Sequence, residues 1–220
     1  MLTRMGTEIG TGAGAGAGKE PGKGQEARKG HLEERDRVLG NLVRAVELLE
    51  GARDLTRLMP EVRINLVYAL PDAKTPDEVA GIAGRITAVR GRIIPGGYPA
   101  FGASDHMARA IIELRRYDTR VRAGMNFKYD SKILKGVERY CSEHGLTLGR
   151  IDRTSEPEEV RAIDGRSMGW KIAKALVDGK VPEIFYESEG WGKEPLFVVI
   201  GGDAVEVVER FLDIAEVICP

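Results

Sequence analysis

The sequence predicts a layered α/β domain built around a mixed β-sheet. Stretches with helical apolar spacing alternate along the chain with short apolar runs, which is the pattern of helices and strands packed in layers. The connections around residues 86–94 and 184–200 are too short to hold a crossover helix, so antiparallel strand pairs are expected in the sheet. Hydrophobic residues make up 42% of the 220-residue chain, enough for the core of one domain.

The first 30 residues are predicted to be a disordered, low-complexity leader, and residues 31–220 to form the domain. An alternating Gly-Ala stretch at 12–18 is followed by Lys, Glu, Gly and Gln, which offer too little apolar surface to offset the entropy lost on ordering. A glycine-rich phosphate loop is the alternative. Such a loop needs a strand before it and a helix start after it, and the sequence has neither signal.

An amphipathic helix is predicted from Leu32 to about Leu49, and an extended run from Val62 to Leu70 follows Pro60. A helix-turn-helix would need a second helix close behind the first, and the sequence does not predict one there. The run Thr75-Pro76-Asp77-Glu78 combines an N-cap residue, a proline at the first helical position and a capping-box glutamate. It predicts a helix that ends near Gly84.

The segment from Arg85 to Ile94 predicts a hairpin that turns at Arg90-Gly91-Arg92, with a Gly/Pro-rich loop after it. The later elements repeat the same signals, namely polar N-caps before helices, glycines after them and apolar runs for strands. They are a helix from Ser104 to about Arg116, a strand at Val121–Tyr129, a helix between Asp130 and Gly145, a strand at Leu146–Ile151, a helix at Arg166–Val177, strands at Ile184–Tyr186 and Leu196–Ile200, and a final helix at Ala204–Ile218.

Composition narrows the class of protein. The formal net charge is -1, so no overall basic field favours nucleic-acid binding. No apolar run approaches the roughly 20 residues that cross a bilayer, and the start has no secretory signal pattern. Cys141 and Cys219 stand far apart and match no metal-ligand spacing. We therefore expect a reduced, cytoplasmic protein without nucleic-acid or membrane partners.

Two clusters near predicted element ends suit a phosphate. Arg85, between a predicted helix end and a strand, can present its planar guanidinium to phosphate oxygens; a solvated arginine beside a turn glycine is the simpler interpretation. The loop from Gly102 to Ser104 opens a helix, whose free N–H groups attract anions. His106 falls in its first turn, where the helix dipole favours the neutral imidazole. The alternative is that Ser104 only caps the helix and His106 only packs.

Three further clusters carry polar groups. Strand alternation places Asn126 and Lys128 on one face, either over a pocket or toward solvent. Asp152, Arg153 and Glu156 suit a magnesium–diphosphate pair, or else a capped helix start. The run from Gly190 to Pro195, with Gly192 and Lys193, suggests an anion nest or a plain hairpin turn, and it lacks the P-loop pattern. No Ser/His/Asp or Cys/His set can be assembled, so little covalent chemistry is expected.

Several of these motifs, in this order, resemble the ThiN domain, the archaeal type of thiamine-phosphate synthase. The resemblance covers residues 35–218 and lies in the segments Pro60–Pro71, Gly84–Ile86, Gly102–Ala108, Met125-Asn126, Asp152-Arg153 with Glu156-Pro157, and Gly192–Pro195.

The resemblance implies that a pyrimidine diphosphate condenses with a thiazole phosphate to give thiamine phosphate and pyrophosphate, with Mg2+ as cofactor. It also implies a three-layer α/β/α fold around a mixed sheet, similar to AraD-type class II aldolases. Arg85 and His106 match the family's catalytic positions. Contacts to the substrates or their phosphates are assigned to Gly102, Ser104, Asn126, Lys128, Arg153, Gly192 and Lys193, and metal binding to Asp105 and Glu156.

A regulatory protein is the alternative function. Some ThiN domains sense thiamine phosphates without catalysis, and such forms are expected to lose the catalytic arginine and histidine. Both matching positions, Arg85 and His106, are intact here, which favours the enzyme. The expected partners are the two small-molecule substrates, with a homodimer as a candidate assembly.

Overall fold

The computed structural model describes residues 23–157, 166–188 and 194–219. Five α-helices and nine β-strands account for most of this part of the chain. The helices are α1 (Lys23–Gly51), α2 (Asp105–Leu114), α3 (Ser131–His144), α4 (Arg166–Ala175) and α5 (Ala204–Ile218). The strands are β1 (Leu66–Ala69), β2 (Val79–Ile82), β3 (Ile86–Val89), β4 (Arg92–Pro95), β5 (Pro99–Phe101), β6 (Ala123–Lys128), β7 (Leu148–Ile151), β8 (Ile184–Glu187) and β9 (Leu196–Gly201).

Seven strands form one mixed sheet in the order β5-β2-β1-β6-β9-β8-β7. Its neighbours are antiparallel except for the parallel pair β7 and β8. Helices α1 and α5, with α3 beside α5, lie on one face of the sheet, and α2 and α4 on the other. The predicted α/β class with a mixed sheet and three layers is confirmed. None of the helices in the described ranges has the length and apolar character of a membrane span.

The core is thickest between the sheet and α5. Phe127 of β6 stacks on Phe197 of β9 with ring centroids 4.9 Å apart, and the Phe211 ring of α5 lies 5.3 Å from it. All three side chains are fully buried. Strand alternation turns the neighbouring residue, Asn126, to the opposite face of the sheet, under α2 and α4. That second face carries the cavity described below.

The helix predicted to start at Thr75 is wrong. Only a single 3₁₀ turn, Pro76–Glu78, forms, and strand β2 begins at Val79. The capping glutamate is present, because Glu78 Oε2 accepts the N–H groups of Lys74 at 2.7 Å and Thr75 at 2.9 Å. A capping signal is the same for one turn and for a long helix. The fully buried run Val79–Ile82 hydrogen-bonds between β1 and β5, so the sheet ends the turn.

The hairpin prediction is confirmed as a separate two-stranded sheet of β3 and β4. Its turn residues Arg90 and Gly91 have φ values of 51° and 77°, the left-handed pair that tight hairpins require. The predicted loop after it contains β5, the edge strand of the main sheet. The helix N-cap at Asp130 and the stop at Gly145 are also confirmed.

Helix α1 begins at Lys23 rather than at Leu32, so its first turns overlap the predicted leader, whose residues 1–22 lie outside the described ranges. The first turns of α1 carry exposed charged residues without helical apolar spacing, so the sequence pattern does not predict a helix there. Packing on the domain starts at Arg35, whose guanidinium carbon lies 3.8 Å from the centroid of the Phe101 ring.

Deleting residues 1–30 should change the free energy of unfolding by less than about 0.5 kcal/mol, the usual range for surface changes. The described side chains from Glu26 to Glu33 are exposed, so their removal uncovers no core. Thermal unfolding of the full and truncated chains measures this. A large drop in Tm would show that the leader contributes to the folded domain.

Candidate functional site

A cavity of about 310 Å³ lies between the sheet and helices α2 and α4. Asn126, Val198 and Phe185 form one row of its floor, because they are paired across β6, β9 and β8. Leu196 and Glu187 form the next row. Helices α2 and α4 contribute apolar walls. The mixture of apolar walls and a few polar groups is typical of a site for a small organic ligand.

Arg85 lines the cavity with its backbone in the left-handed region, at φ 65°. Its guanidinium donates to the carbonyl of Val62. Its own N–H donates to Ile82 O at 3.0 Å, and its carbonyl accepts Gly96 N–H at 2.6 Å. An arginine in this conformation is disfavoured by about 1–2 kcal/mol, so the surrounding hydrogen bonds must hold it. Such local strain is common at functional sites.

Gly96 is the residue that allows this backbone to close. A Cβ at position 96 would lie 2.7 Å from Gly84 O and 2.8 Å from Arg85 O, both backbone atoms that cannot rotate away. A side chain here must therefore displace Arg85. The observed backbone position of Arg85 therefore requires glycine at position 96.

His106 lines the cavity from the first turn of α2. Its side chain is exposed, whereas the next residue, Met107, is buried against the sheet. The predicted N-cap position of Ser104 is confirmed, but its hydroxyl does not bond the helix. It accepts a hydrogen bond from Asn65 Nδ2 at 2.8 Å. The structure therefore brings Arg85 and His106, which are separated in sequence and lie on different elements, to one cavity.

Two buried asparagines, Asn65 and Asn126, lie at the β1 end of the cavity floor. Asn126 Oδ1 accepts the Asn65 N–H at 2.6 Å, and its Nδ2 donates to Arg63 O at 3.2 Å. Both asparagines line the cavity and both are buried. Among the described atoms Asn65 Oδ1 is buried without a hydrogen-bond partner, a costly arrangement for a purely structural residue. These contacts fix the segment just before β1, where Ile64 pairs with Ile86, the residue after Arg85.

A buried network of charges borders the other side of the cavity. Glu187 Oε2 accepts from Arg153 Nη1 at 3.0 Å and from Lys171 Nζ at 2.8 Å. The second nitrogen of the Arg153 guanidinium lies 3.6 Å from Glu156, which also accepts the Ser167 hydroxyl. The Arg153 and Lys171 side chains are only 7% and 3% exposed. An unpaired buried charge is strongly destabilising, and in this network each buried charge of the cavity wall has an oppositely charged partner.

Glu194 ties a third segment to the site. Its carboxylate accepts the N–H groups of Glu61 at 2.8 Å and Val62 at 3.0 Å, and Val62 in turn accepts the Arg85 guanidinium. Glu194 therefore positions the peptide that holds Arg85. It lines the cavity itself and follows directly on residues 189–193, which are not described.

The remaining predicted site residues have varied positions. Gly102, with φ 73°, and Ser104 form the backbone turn before α2 but do not line the cavity. Lys128 is not a lining residue either; its side chain is 44% exposed and lies 3.9 Å from Asp130. Gly192 and Lys193 lie outside the described residues, so their predicted role has no structural counterpart here.

The two predicted metal ligands, Asp105 and Glu156, both form ion pairs with arginine side chains. Asp105 receives two hydrogen bonds from Arg109 Nε, at 2.9 and 2.8 Å, and this interaction, with desolvation opposing it and His106 adding to it, holds the pKa of Asp105 below its ordinary value. Glu156 is buried in the Arg153 network. Within the described ranges no group of three or more His, Cys, Asp or Glu side chains could hold a metal ion. The described residues therefore do not form a metal site without help from a ligand.

Sequence reasoning missed Asn65, Lys171, Glu187 and Glu194. A signal existed for two of them. Asn65 interrupts the apolar run that became β1, and Lys171 shares the helical spacing of the buried residues Met168 and Ile172. Glu187 gave no such signal, since a glutamate at a strand end is usually solvated. Glu194 lies in the segment Gly192–Pro195 that resembles the family, but the sequence does not show which groups it binds. The two cysteines do not line the cavity, and burial raises the pKa of Cys141 to about 11.

Comparison with known proteins gives consistent matches. The family model described as thiamine-phosphate synthase ThiN matches residues 41–213. The thiamine-phosphate synthase ThiN of Methanothermobacter thermautotrophicus is 39% identical over 175 residues, which cover 79% of this chain and 90% of that protein. The bifunctional thiamine biosynthesis protein ThiDN of Methanocaldococcus jannaschii is 35% identical over 177 residues, covering 80% of this chain and 40% of that protein. Among solved structures, the C-terminal domain of phosphomethylpyrimidine kinase superposes with a TM-score of 0.78 at 34% identity, over 82% of this chain and 100% of that domain.

Proposed function

The chain belongs to the thiamine-phosphate synthase ThiN family, and from that premise we propose that it condenses a hydroxymethylpyrimidine diphosphate with a thiazole phosphate. The products are thiamine phosphate and pyrophosphate. The observation that carries the proposal is that Arg85 and His106 line one cavity of substrate size. The family match supports the reaction, and the shared cavity supports a role for the Arg85 guanidinium and the His106 imidazole in binding the substrates.

The reaction needs charge stabilisation more than covalent catalysis. The bond between the pyrimidine methylene carbon and the diphosphate oxygen breaks, and its electron pair leaves with the diphosphate. The ring's amino group stabilises the cation that remains, and the lone pair of the thiazole nitrogen forms the new C–N bond. The protein's tasks are to align the two substrates and to neutralise the negative charge that grows on the leaving group.

We assign the second task to Arg85. A guanidinium offers several N–H donors in a planar fork that matches phosphate oxygens, and its fixed backbone lowers the cost of orienting it. His106 is assigned a hydrogen bond to the diphosphate or to the pyrimidine. The apolar residues of the cavity, such as Met107 and Val198, exclude water and strengthen both interactions.

Replacing Gly96 with alanine should lower kcat/KM about 10- to 100-fold, because displacement of a positioning group by a few tenths of an ångström to an ångström has effects of this size. The new Cβ must move the backbone of Arg85. Gly40→Ala is the matched control, since Gly40 is an exposed helical position with nothing within 4 Å. Equal activity of Gly96→Ala and wild type would show that the arginine's backbone position is unimportant.

Activity should require a divalent cation, with Mg2+ sufficient. Mg2+ usually binds through one or two carboxylates together with substrate phosphate oxygens, and when bound it supplies positive charge to the diphosphate. Asp105, beside His106, is the carboxylate proposed to complete its coordination, which would require the Arg109 contact to open. Turnover is measured after exhaustive EDTA treatment and again after adding Mg2+. Full turnover in EDTA, or stoichiometric zinc in the purified protein, would contradict the proposal.

A further inference from the structure

Glu187 lines the cavity, and two buried cations hold its carboxylate. Both buried cations of the wall, Arg153 and Lys171, bind the same oxygen of its carboxylate, Oε2. Within the described part of the chain, the hydrogen bonds to this carboxylate both end on Oε2 and not on its other oxygen, Oε1. The Glu187 side chain is 15% exposed, more than either cation, and the residue lines the cavity. One oxygen is thus used to fix the group, and one is left for a ligand.

The surroundings of Glu187 suit a flat ring. Phe185 lies two residues earlier on the same face of β8, and Met168 and Ile172 of α4 line the same part of the cavity. Each of these side chains is apolar and buried. A carboxylate oxygen without hydrogen atoms can only accept a hydrogen bond. An apolar slot that ends in a pure acceptor is complementary to an aromatic ring that carries an N–H donor.

The slot and Arg85 line the same cavity from different elements of the fold. The row Asn65, Asn126, Val198 and Phe185 crosses four adjacent strands, and three interstrand spacings amount to about 14 Å. Asn65 belongs to the segment that contains Val62, whose carbonyl binds Arg85, whereas Glu187 is the last residue of β8. A ligand whose ring amine binds Glu187 can therefore direct a charged group toward Arg85.

We propose that Glu187 recognises the amino group of the pyrimidine substrate and so selects the aminopyrimidine ring for this half of the cavity. This inference rests on the proposed function, which supplies the two substrates. Of these two, only the pyrimidine carries an N–H donor, because the thiazole ring bears carbon substituents alone. A pyrimidine with a carbonyl oxygen in place of the amine would turn lone pairs toward the carboxylate and bind poorly.

The test is a cycle that changes the protein and the ligand together. Calorimetry measures the binding of the aminopyrimidine monophosphate and of its analogue without the amino group, to wild type and to Glu187→Gln. Wild type should lose affinity about tenfold or more when the amine is removed, since a hydrogen bond to a charged group has this effect. Glu187→Gln should bind the amino ligand more weakly than wild type does and should lose little further affinity when the amine is absent.

A purely structural role would not produce this coupling between protein and ligand. Glu183→Gln is the matched control, because Glu183 is a β8-flanking carboxylate that bonds Thr147 instead of lining the cavity. If Glu187→Gln does not fold, Glu187→Asp enters the same cycle. Equal loss of affinity in both proteins when the amine is removed would overturn the inference. Turnover by wild type, measured separately, decides whether the synthase proposal stands independently of Glu187.

Discussion

Replacing Arg85 with glycine is expected to lower kcat by about 10²- to 10³-fold, the size of effect seen when one donor to a developing negative charge is removed. The protein should nonetheless stay folded. Arg85 has a φ of 65°, which glycine adopts without steric cost, so the free energy of unfolding should stay within about 1 kcal/mol of the wild-type value. Arg85→Ala keeps the backbone strain that the arginine already has, so in this second variant only the side chain changes.

The controls separate charge, geometry and backbone. Arg90→Gly makes the same change at an exposed left-handed arginine in the β3–β4 turn and should leave kcat unchanged. Arg85→Lys should recover only part of the activity, because lysine keeps the charge but loses the planar fork. If kcat and kcat/KM fall in parallel, Arg85 acts in the transition state; a rise in KM alone would mean that it only binds substrate. Wild-type kcat in Arg85→Gly would remove its catalytic assignment.

Replacing His106 with alanine should lower kcat/KM about 10- to 100-fold, which corresponds to one hydrogen bond to a charged group. His106→Asn should retain more activity than His106→Ala, because an amide can still donate or accept at a similar distance. The side chain is exposed at the cavity, so neither variant should lose much stability. Steady-state kinetics and thermal unfolding of both variants measure these effects.

His31→Ala is the matched control for His106, because His31 is an exposed histidine on α1 and does not line the cavity. It should behave as wild type. Equal activity of His106→Ala and His106→Asn would show that hydrogen bonding at this position is not what the reaction needs.

The sequence was sufficient for the elements with long, consistent signals. Apolar periodicity located the helices that became α3, α4 and α5, and the polar N-cap Asp130 placed the start of α3. The helix after Thr75 was the main error. Its capping residues predicted a helix, and they do mark the start of a single turn, but the burial of Val79–Ile82 between two strands is a tertiary effect that no local pattern contains. Strand order likewise depends on pairing between distant segments.

The residues of the candidate site also fall into those that the sequence identified and those that it did not. Arg85, His106, Asn126 and Arg153 stand next to turns or strand ends and were identified from residue type and family resemblance, and all four line the cavity. Lys171, Glu187 and Glu194 were not, because their importance depends on partners far away in sequence. Glu194, for example, bonds the backbone of Glu61, 133 residues earlier. The roles assigned to Gly192 and Lys193 remain predictions.

One assay tests the central claim most directly. The purified chain is mixed with the pyrimidine diphosphate, the thiazole phosphate and Mg2+, and both thiamine phosphate and pyrophosphate are measured, with Arg85→Gly in parallel. We predict that the wild type forms the two products in equal amounts over many turnovers and that the variant is slower by about 10²-fold or more. A wild type that binds thiamine phosphate tightly but forms neither product would contradict the account and identify a sensor of thiamine phosphate instead.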